Sequence, residues 1–455
     1  MFKRNEGRSP LRVSVIILIS VLIIVCTAAI LLLTGVIGSR NKESSSGTGT
    51  TEQGTVKEPE PADQTVGENM RVDQSIVENM AEAVKVDGIT VTDEMLEKGI
   101  LNEGNKARLM QVMERAAKGE EITIAYIGGS ITAGSSANPM STACFAALTT
   151  DWWRETFKAA KINYVNAGIG ATDSWVGVHR VKDDVIAEAP DLVVAEFAVN
   201  DGNGWNQETY DSLLRELLTA PSGPAVISLM IAHKYGSFAD KHAPVAFRYK
   251  VPIISYSALL TQKLVPWDKV GNSDGTHPDN PGHQLIAHLL TSYYRKVLSE
   301  INETEPEEYT VPDISESATR CRYMNGDILF SDETEPESSD GFEAGKVTKI
   351  LFNDNGWKTG SAGSISFKIN ASEVGIMWLQ KKADPKGTYA DYELYIDGEK
   401  KAVLAGVADS WGAHLEYKSE ILGDTAALHT IELRPAEGNT GTEFEILGIG
   451  VSGVQ

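Results

Sequence analysis

Five short, mostly apolar runs of four to eight residues constrain the fold of this 455-residue chain more than any other feature. They lie at residues 122–127, 162–166, 192–199, 225–232 and 252–255. None alternates strictly between apolar and polar residues, and the segments between them are long enough to form helices. Such runs are typical of strands that are buried on both faces, so they predict a doubly wound α/β domain with five parallel strands.

One amphipathic helix is expected before the first of these runs, over residues 105–118. Its apolar residues recur at helical spacing, namely Leu109, Val112, Met113 and Ala116. The α/β domain is accordingly expected over residues 102–305. Because ligands bind at the carboxyl ends of the strands in such a sheet, the residues that follow each run are the candidates for a functional site.

The pattern changes in the last third of the chain, where apolar residues begin to alternate with polar ones. Residues 365–369 follow this period of two, which is typical of a strand with one buried face. The pair Asp397-Gly398 follows another alternating stretch and is a strong signal for a tight hairpin turn. These features predict an all-β antiparallel sandwich over residues 312–455.

The N-terminus carries a basic cluster of Lys3, Arg4, Arg8 and Arg12. An uncharged apolar run follows at residues 13–37. It is long enough to cross a bilayer core, which needs about 20 residues, and it lacks the short core and the cleavage site of a removable signal. We therefore expect a single-pass transmembrane anchor at residues 13–37, with residues 1–12 in the cytoplasm because basic residues favour that side. The α/β domain and the C-terminal domain are then expected to be extracellular, at the cell membrane.

Residues 38–101 are expected to form a flexible stalk and an approach segment. Up to residue 66 the composition is rich in Ser, Gly, Thr, Glu and Pro, and such a stretch cannot bury enough apolar surface to fold. Two interpretations remain open for residues 67–101: a poorly ordered segment, or one that docks on the domain that follows.

Charge and cysteine content exclude some classes of function. The formal net charge of -22 argues against nucleic acid as a partner, since no basic patch is available to displace the counterions of phosphates. The three cysteines, Cys26, Cys144 and Cys321, fit neither a disulfide framework nor a metal-binding spacing, although a bridge between Cys144 and Cys321 remains open. No metal ion or cofactor is expected.

A serine stands directly after the first strand, in Gly128-Gly129-Ser130. Small neighbours let a substrate approach closely, so Ser130 is a candidate nucleophile. The tripeptide also fits an ordinary strand-to-helix turn, whereas a phosphate-binding loop is disfavoured because neither G-x-G-x-x-G nor a G-K-[ST] ending is present. Partner residues must decide between these interpretations.

Suitable partners follow the fifth strand, in Asp274-Gly275-Thr276-His277. A serine hydroxyl becomes a good nucleophile when a neutral histidine accepts its proton. A carboxylate three residues before that histidine can fix the tautomer of the ring. Ser130, His277 and Asp274 are therefore expected to act together.

Candidate oxyanion donors follow the second and third strands. Gly168 and Gly170 can expose backbone N–H groups, and Asn200 offers a side-chain amide. Preorganised donors of this kind stabilise the negative charge that develops on a carbonyl oxygen. Asp173 and Asp201 are expected to border the substrate site without a catalytic role.

Other polar residues are interpreted as structural. Glu196 lies inside the third strand, where a carboxylate must be paired or protonated. Four histidines are scattered without a metal-ligand spacing: His179, His233, His242 and His283.

Four sequence blocks thus follow the strands in order: those of Ser130, of Gly168 and Gly170, of Asn200, and of Asp274 and His277. Together they resemble the blocks of the SGNH hydrolases, also called GDSL esterases, over residues 105–300. The resemblance implies a flavodoxin-like three-layer sandwich. It implies that Ser130 is the nucleophile and that Asp274 and His277 form the D-x-x-H block. The oxyanion hole implied by the family is the Ser130 backbone N–H, Gly170, preferred to Gly168, and the Asn200 side chain.

Two residues depart from the family pattern. Gly129 replaces the aspartate that precedes the nucleophile, and Ala198 replaces the glycine that opens the third block. Neither position carries a proton transfer. The departures leave the subfamily, and hence the substrate, open.

The two-domain arrangement resembles that of the acetyl esterases of carbohydrate esterase family two, although there the sandwich precedes the catalytic domain. The resemblance implies an esterase that removes O-acetyl groups from a polysaccharide or cell-envelope glycan through a Ser-His-Asp acyl-enzyme mechanism. Alternatives are a general lipid or acyl hydrolase, a glycan O-acyltransferase and a non-catalytic glycan-binding surface protein. The expected partners are an acylated carbohydrate and, through the N-terminal helix, the membrane.

Overall fold

The computed structural model describes residues 70–382, 386–408 and 412–453. The predicted cytoplasmic segment, the transmembrane anchor at residues 13–37 and the stalk up to residue 69 lie outside the described residues. Within the described ranges, no helix combines the length and the apolar character that a membrane span requires.

Residues 70–101 dock on the α/β domain. They form two short helices, α1 (Gln74–Glu78) and α2 (Asp93–Gly99), and their buried side chains belong to the core of that domain. Trp152 Nε1 donates to the Ala81 carbonyl at 2.9 Å, and the Val84 N–H donates to Thr291 Oγ1 at 3.1 Å. Of the two open interpretations, docking is therefore the one that describes residues 70–101.

The α/β domain contains the five predicted parallel strands. They are β2 (Glu121–Gly128), β3 (Lys161–Gly168), β4 (Leu192–Glu196), β5 (Ala225–Met230) and β6 (Ile253–Ser255). The sheet order is β1-β6-β5-β4-β2-β3, where β1 (Ile100–Asn102) is a sixth strand that pairs antiparallel with β6. The parallel sheet is confirmed. The predicted count of five strands is too low, because β1 has only three residues and shows no pattern in the sequence.

Helices cover both faces of this sheet. They are α3 (Ala107–Ala117), α4 (Ser130–Ala133), α5 (Met140–Ala143), α6 (Phe145–Thr156), α7 (Ser174–Asp184), α8 (Asn206–Thr219), α9 (Ala239–Arg248), α10 (Tyr256–Thr261) and α11 (Asn280–Glu300). Helices α3, α6 and α11 share one hydrophobic core with the sheet, and α7, α8 and α9 share the other. The domain is thus a three-layer sandwich.

The two cysteines within the described residues are both free and buried. Cys144 Sγ lies 3.7 Å from the hydroxyl of Tyr164, whereas Cys321 Sγ lies 3.9 Å from that of Tyr249. The bridge that the sequence left open is therefore absent, and each thiol serves as a small buried side chain.

The C-terminal domain is an antiparallel β domain, as predicted. Its strands are β7 (Asp327–Leu329), β8 (Ser338–Lys346), β9 (Asn355–Ala371), β10 (Glu373–Gln380), β11 (Tyr392–Ile396), β12 (Glu399–Leu404), β13 (His414–Ile421), β14 (Ala427–Pro435) and β15 (Phe444–Ser452). Asp397 and Gly398, at φ +51° and +81°, join β11 to β12 in the predicted hairpin turn.

These strands form one hydrogen-bonded network rather than two separate sheets. The path is β12-β11-β14-β9-β15-β10-β13, with β7 added to β15 and β8 to β9. The 17-residue strand β9 makes the connection, since its C-terminal part pairs with β14 and its N-terminal part with β15. Both arms of the network bury their apolar side chains in one shared core.

Strand β10 is buried on both faces and joins the two domains. Val374 and Ile376 point into the core of the β domain, whereas Met377 packs with the helices of the α/β domain. Trp175 of α7 covers Gly375, where an added Cβ would lie only 2.2 Å from the indole ring. The domains therefore meet in a packed interface.

Candidate active site

The structure brings Ser130 and His277 together at the carboxyl edge of the parallel sheet. Ser130 is the first residue of α4, directly after β2. Its Oγ lies 2.8 Å from His277 Nε2, and His277 Nδ1 lies 2.7 Å from Asp274 Oδ2. The three side chains thus form a continuous hydrogen-bonded chain, although they lie in two segments that are far apart in the sequence.

The turn that carries Asp274 and His277 holds the carboxylate firmly. Asp274 Oδ1 accepts the backbone N–H groups of Thr276 at 2.8 Å and of His277 at 3.0 Å. Partial burial acts to raise the pKa of Asp274, but these hydrogen bonds and the one from the His277 ring lower it below its usual value. An ionised carboxylate at Nδ1 fixes the tautomer that leaves Nε2 ready to accept the proton of Ser130.

Two of the predicted oxyanion groups lie beside Ser130. A Cβ added to Gly170 would come 3.8 Å from the Ser130 Cβ, with no other atom closer. Asn200 lies against Gly129, the residue before Ser130, since a Cβ added to Gly129 would stand 3.0 Å from Asn200 Nδ2. The Asn200 amide is oriented by a hydrogen bond to the Thr172 carbonyl at 3.0 Å.

Gly168 has a different role from Gly170. Its N–H donates to Asn166 Oδ1 at 2.9 Å and is therefore not available to a substrate. Its lack of a side chain is needed for packing, because an added Cβ would lie 2.2 Å from the backbone nitrogen of Ala133 in α4. The geometry supports the sequence preference for Gly170.

Glu196, which the sequence suggested was a structural acid, ties the two loops of the site together. Its buried carboxylate accepts the Thr132 hydroxyl at 3.0 Å, and it also receives backbone hydrogen bonds from Gly129 and Val199. Burial raises the pKa of Glu196 to about 7, against these hydrogen bonds. One side chain thus links the turn that carries Ser130 to the turn that carries Asn200.

A second aspartate–histidine pair lies nearby, between Asp201 and His242. The Asp201 carboxyl is 2.8 Å from His242 Nε2 and accepts the Ser174 N–H at 2.8 Å. Burial raises the pKa of Asp201 to about 8 and lowers the pKa of His242 to about 3, so the pair carries no net charge near neutrality. The ring of His242 stacks on Tyr210 at 3.7 Å.

The C-terminal domain contributes one residue that sequence reasoning missed. The Tyr417 hydroxyl donates to Asp173 Oδ2 at 2.6 Å, and Asn206 Nδ2 donates to the same oxygen at 3.0 Å. Asp173 caps helix α7 directly after the oxyanion loop, and burial, together with nearby Asp201, raises the pKa of Asp173 to about 6. Tyr417 lies 244 residues from Asp173, so no local sequence signal could reveal the contact.

A cleft of about 730 Å³ separates the two domains at this edge. It reaches Ala171 and Asn200 on the α/β side and is closed on the other side by Arg322 and residues 415–421 of β13. Its volume falls in the range of ligand sites, which is about 300–1,000 Å³. Most of its side chains are polar or charged, so it suits a hydrophilic ligand.

The four scattered histidines each have a structural contact. His179 Nε2 lies 2.9 Å from the buried Glu373 of the C-terminal domain, and His283 Nε2 lies 3.1 Å from the Ser135 carbonyl. His233 Nδ1 accepts the Tyr235 N–H at 3.0 Å, and His242 pairs with Asp201 as described. No group of three or more metal-ligating side chains occurs within the residues that the structure describes.

The fold and the residues at the carboxyl edge of the parallel sheet define a class of protein. A serine hydroxyl within reach of an imidazole and a carboxylate, in a doubly wound domain, is the arrangement of a serine-dependent acyl hydrolase. Residues 126–285 match the model of the GDSL-like lipase/acylhydrolase family. No curated protein matches the chain in sequence.

Two similar crystal structures extend the comparison to the whole architecture. One is a two-domain esterase active on acetylated mannans, which is 27% identical to this chain with a TM-score of 0.70, over 79% of this chain and 99% of the other. The second is the same kind of esterase co-crystallised with mannopentaose, at 26% identity and a TM-score of 0.69, over 79% of this chain and 98% of the other. The chain is a carboxylic ester hydrolase with an SGNH-type catalytic domain, and the predicted resemblance to two-domain carbohydrate esterases is confirmed.

Proposed function

We propose that this protein removes O-acetyl groups from a polysaccharide outside the cytoplasm, with Ser130 as nucleophile. The observation that carries the proposal is the hydrogen-bonded chain from Asp274 through His277 to Ser130, with distances of 2.7 and 2.8 Å. It lies beside a polar cleft that reaches Asn200.

The reaction begins when Ser130 Oγ attacks the carbonyl carbon of the acetyl ester while His277 Nε2 accepts the hydroxyl proton. The carbonyl oxygen becomes an oxyanion, which the Ser130 and Gly170 N–H groups and the Asn200 amide stabilise. The C–O bond to the sugar then breaks, and His277 returns the proton to the departing sugar oxygen. An acetyl-serine remains.

The second half of the reaction releases acetate. A water molecule gives its proton to His277 and attacks the acetyl carbon, which again forms an oxyanion at the same donors. The bond to Ser130 Oγ breaks, and the serine recovers its proton from His277. Asp274 stabilises the positive imidazole ring in both halves without taking up a proton itself.

A glycan ester is favoured over a lipid ester by the character of the cleft. The lining includes Asn203, Arg322 and Lys418, whose polar groups match sugar hydroxyls rather than an acyl chain. The two-domain esterases of similar structure act on acetylated mannans, and one was crystallised with mannopentaose. An acetylated polysaccharide of this type is therefore the proposed substrate.

The proposed location rests on the sequence of the N-terminus. The apolar run at residues 13–37 follows a basic cluster, which favours a membrane anchor with the rest of the chain outside. An esterase held in this way can reach envelope or environmental glycans, which are absent from the cytoplasm.

Acetate release from acetylated mannan by the full chain in detergent tests the activity. We expect release by the wild type and none above background by Ser130→Ala. A series of aryl esters should show rates that fall steeply as the acyl chain lengthens. Rates that rise with chain length would instead identify a lipid hydrolase, and acetyl transfer to an added oligosaccharide would identify an acyltransferase.

Covalent labelling tests the nucleophile independently of the substrate. A fluorophosphonate probe should label the wild type and fail to label Ser130→Ala. Persistent labelling of the variant at another residue would show that a different nucleophile is used.

Protease accessibility tests the location. Protease added to intact cells should digest the C-terminal domain, whereas a cytoplasmic marker protein remains intact. Protection of this domain until the cells are lysed would contradict the outward orientation.

A further inference from the structure

The loop after β5 places an exposed aromatic ring at the catalytic edge. Tyr235 has 79% of its surface exposed, more than any other large hydrophobic or aromatic side chain in the described part of the protein. It is absent from the three hydrophobic cores. Packing therefore gives no reason for an aromatic residue at this position.

The turn that carries the ring is rigid. The backbone groups of His233 and Gly236 are joined by two hydrogen bonds, at 3.1 and 3.3 Å. The Tyr235 N–H donates to His233 Nδ1 at 3.0 Å, and the Lys234 N–H donates to the Gly275 carbonyl at 2.9 Å. Because the backbone that carries the ring is already ordered, little backbone entropy is lost when a ligand binds to it.

The ring lies directly on the turn that carries the catalytic carboxylate and imidazole. A Cβ added to Gly275 would come 3.1 Å from Tyr235 Cε2 and 3.4 Å from its hydroxyl oxygen. Gly275 also has a φ of +75°, which a side chain would disfavour. Since Gly275 lies between Asp274 and His277, Tyr235 stands at the His277 side of the site.

The interdomain cleft is lined by a different set of residues. It reaches the site at Asn200 and is lined there by Trp205, whose exposed fraction is 46%. Neither Tyr235 nor the turn from Asp274 to His277 lines this cleft. The site therefore has one exposed ring beside the turn of His277 and another in the cleft that Asn200 lines.

We propose that Tyr235 is a stacking platform for a sugar ring next to the acetylated sugar, on the His277 side. A tyrosine ring offers a flat apolar face and a polar edge, which suits the C–H face and the hydroxyl rim of a pyranose. The Lys234 ammonium, 5.9 Å from the ring centroid, adds a hydrogen-bond donor beside the platform.

Trp205 in the cleft is a second aromatic surface for a sugar. With both rings bound, the glycan chain extends past the acetylated sugar in both directions. The substrate class is then an acetyl group on an internal sugar of a chain, rather than on a monosaccharide or only at a chain end. This inference rests on the proposed function, because it assigns a subsite to the same reaction.

The test compares two substrates in Tyr235→Ala and Tyr235→Phe of the full chain. On acetylated mannan oligosaccharides, Tyr235→Ala should lose about tenfold in kcat/KM, mainly through KM, because a stacking contact is lost. The loss on 4-nitrophenyl acetate, which has no neighbouring sugar, should be at least about fivefold smaller. Tyr235→Phe keeps the ring and should remain within about threefold of the wild type on the oligosaccharides.

Phe247→Ala is the matched control, since Phe247 is an exposed aromatic residue on α9, with 49% of its surface accessible. It should leave both activities unchanged. Equal losses of Tyr235→Ala on both substrates would show that the ring supports the catalytic turn instead, and no loss on either would also overturn the platform. A wild type that cleaves the aryl ester but no acetylated glycan would refute the proposed function rather than the subsite.

Discussion

Two aspartate–histidine pairs lie in the α/β domain, and they differ in their exposure and in the ring nitrogen that the carboxyl group binds. The carboxyl-to-imidazole distance is 2.7 Å for Asp274 and His277, and 2.8 Å for Asp201 and His242. The side chains of the first pair are 41% and 23% exposed, whereas those of the second are 0% and 1% exposed. The two carboxyl-to-imidazole hydrogen bonds are thus almost equal in length, although one is accessible to solvent and the other is buried.

The comparison shows that a short distance alone does not make an aspartate–histidine pair suitable for general-base catalysis. In the exposed pair the carboxylate binds Nδ1, which leaves Nε2 of His277 free to face Ser130. In the buried pair Nε2 of His242 is itself bound to Asp201, and burial holds the pair neutral. A base needs both a free nitrogen and surroundings that tolerate its positive form.

His277→Ala should have the largest effect on activity. Loss of the general base should lower kcat by about 10⁴-fold or more, because the serine is then not activated. Esterase kinetics on 4-nitrophenyl acetate measure this. The unfolding free energy should change little, by about 0.5 kcal/mol, because the ring is partly exposed. A loss below a hundredfold would remove His277 from the role of base.

Asn200→Ala tests the residue next to Asp201, which belongs to the buried pair. Its amide faces the site, so kcat should fall by about 10²-fold through the loss of one oxyanion donor. KM and the melting temperature should change little. Chemical denaturation together with steady-state kinetics checks both parts, and normal turnover in a folded variant would contradict the assignment.

Glu196→Gln tests a buried carboxylate that has no histidine partner. The amide keeps the volume but replaces one acceptor oxygen by a donor, which loosens the link between the nucleophile and oxyanion turns. We expect kcat to fall about tenfold while KM stays within about twofold, because only the geometry of the transition state suffers. A loss of stability with unchanged kcat would assign Glu196 a purely structural role.

Asp201→Asn should have the smallest effect, and only on the pH dependence of stability. The pKa of Asp201 is raised to about 8 in the folded protein, so between about pH 4 and pH 8 the native state holds a proton that the unfolded chain has lost. The Asp201 contribution to stability therefore falls with rising pH in this window, by about 1 kcal/mol per pH unit. His242, whose pKa is lowered to about 3, contributes in the opposite sense below about pH 6.5.

The asparagine has no such proton and can still donate to His242 and accept from Ser174. Urea denaturation of both proteins at pH 5, 6 and 7 should therefore show that the stability of Asp201→Asn increases relative to that of the wild type as the pH rises, since the contribution of His242 is common to both. A stability difference that does not change with pH would mean that Asp201 is ionised in the native protein.

The same contrast explains what the sequence could predict. Asp274 and His277 lie three residues apart in one turn, so their pairing is local and visible in the sequence. Asp201 and His242 are 41 residues apart, and their contact arises only when α9 packs beside the sheet. The strands were predictable because each is a continuous apolar run, whereas the three residues of β1 gain their structure from pairing with β6.

Only the burial of Glu196 could be predicted from the sequence, not its contacts. A carboxylate among apolar strand residues signals burial, but its contacts with Thr132 and the two turns depend on how neighbouring strands lie in register. The contact between Tyr417 and Asp173 joins different domains, and a strand with period two does not reveal what its outer face meets.

The fit between β10 and helix α7 limits how this protein can change by recombination. Trp175 occupies space that only the glycines at positions 375 and 450 leave open, and its indole N–H is matched by Glu373 at 2.9 Å. A β domain from another protein, fused after the α/β domain, would lack both the glycines that leave space for Trp175 and the carboxylate that accepts its indole N–H. A domain introduced from another protein would therefore need matched substitutions on both sides of this interface before it could pack against α7.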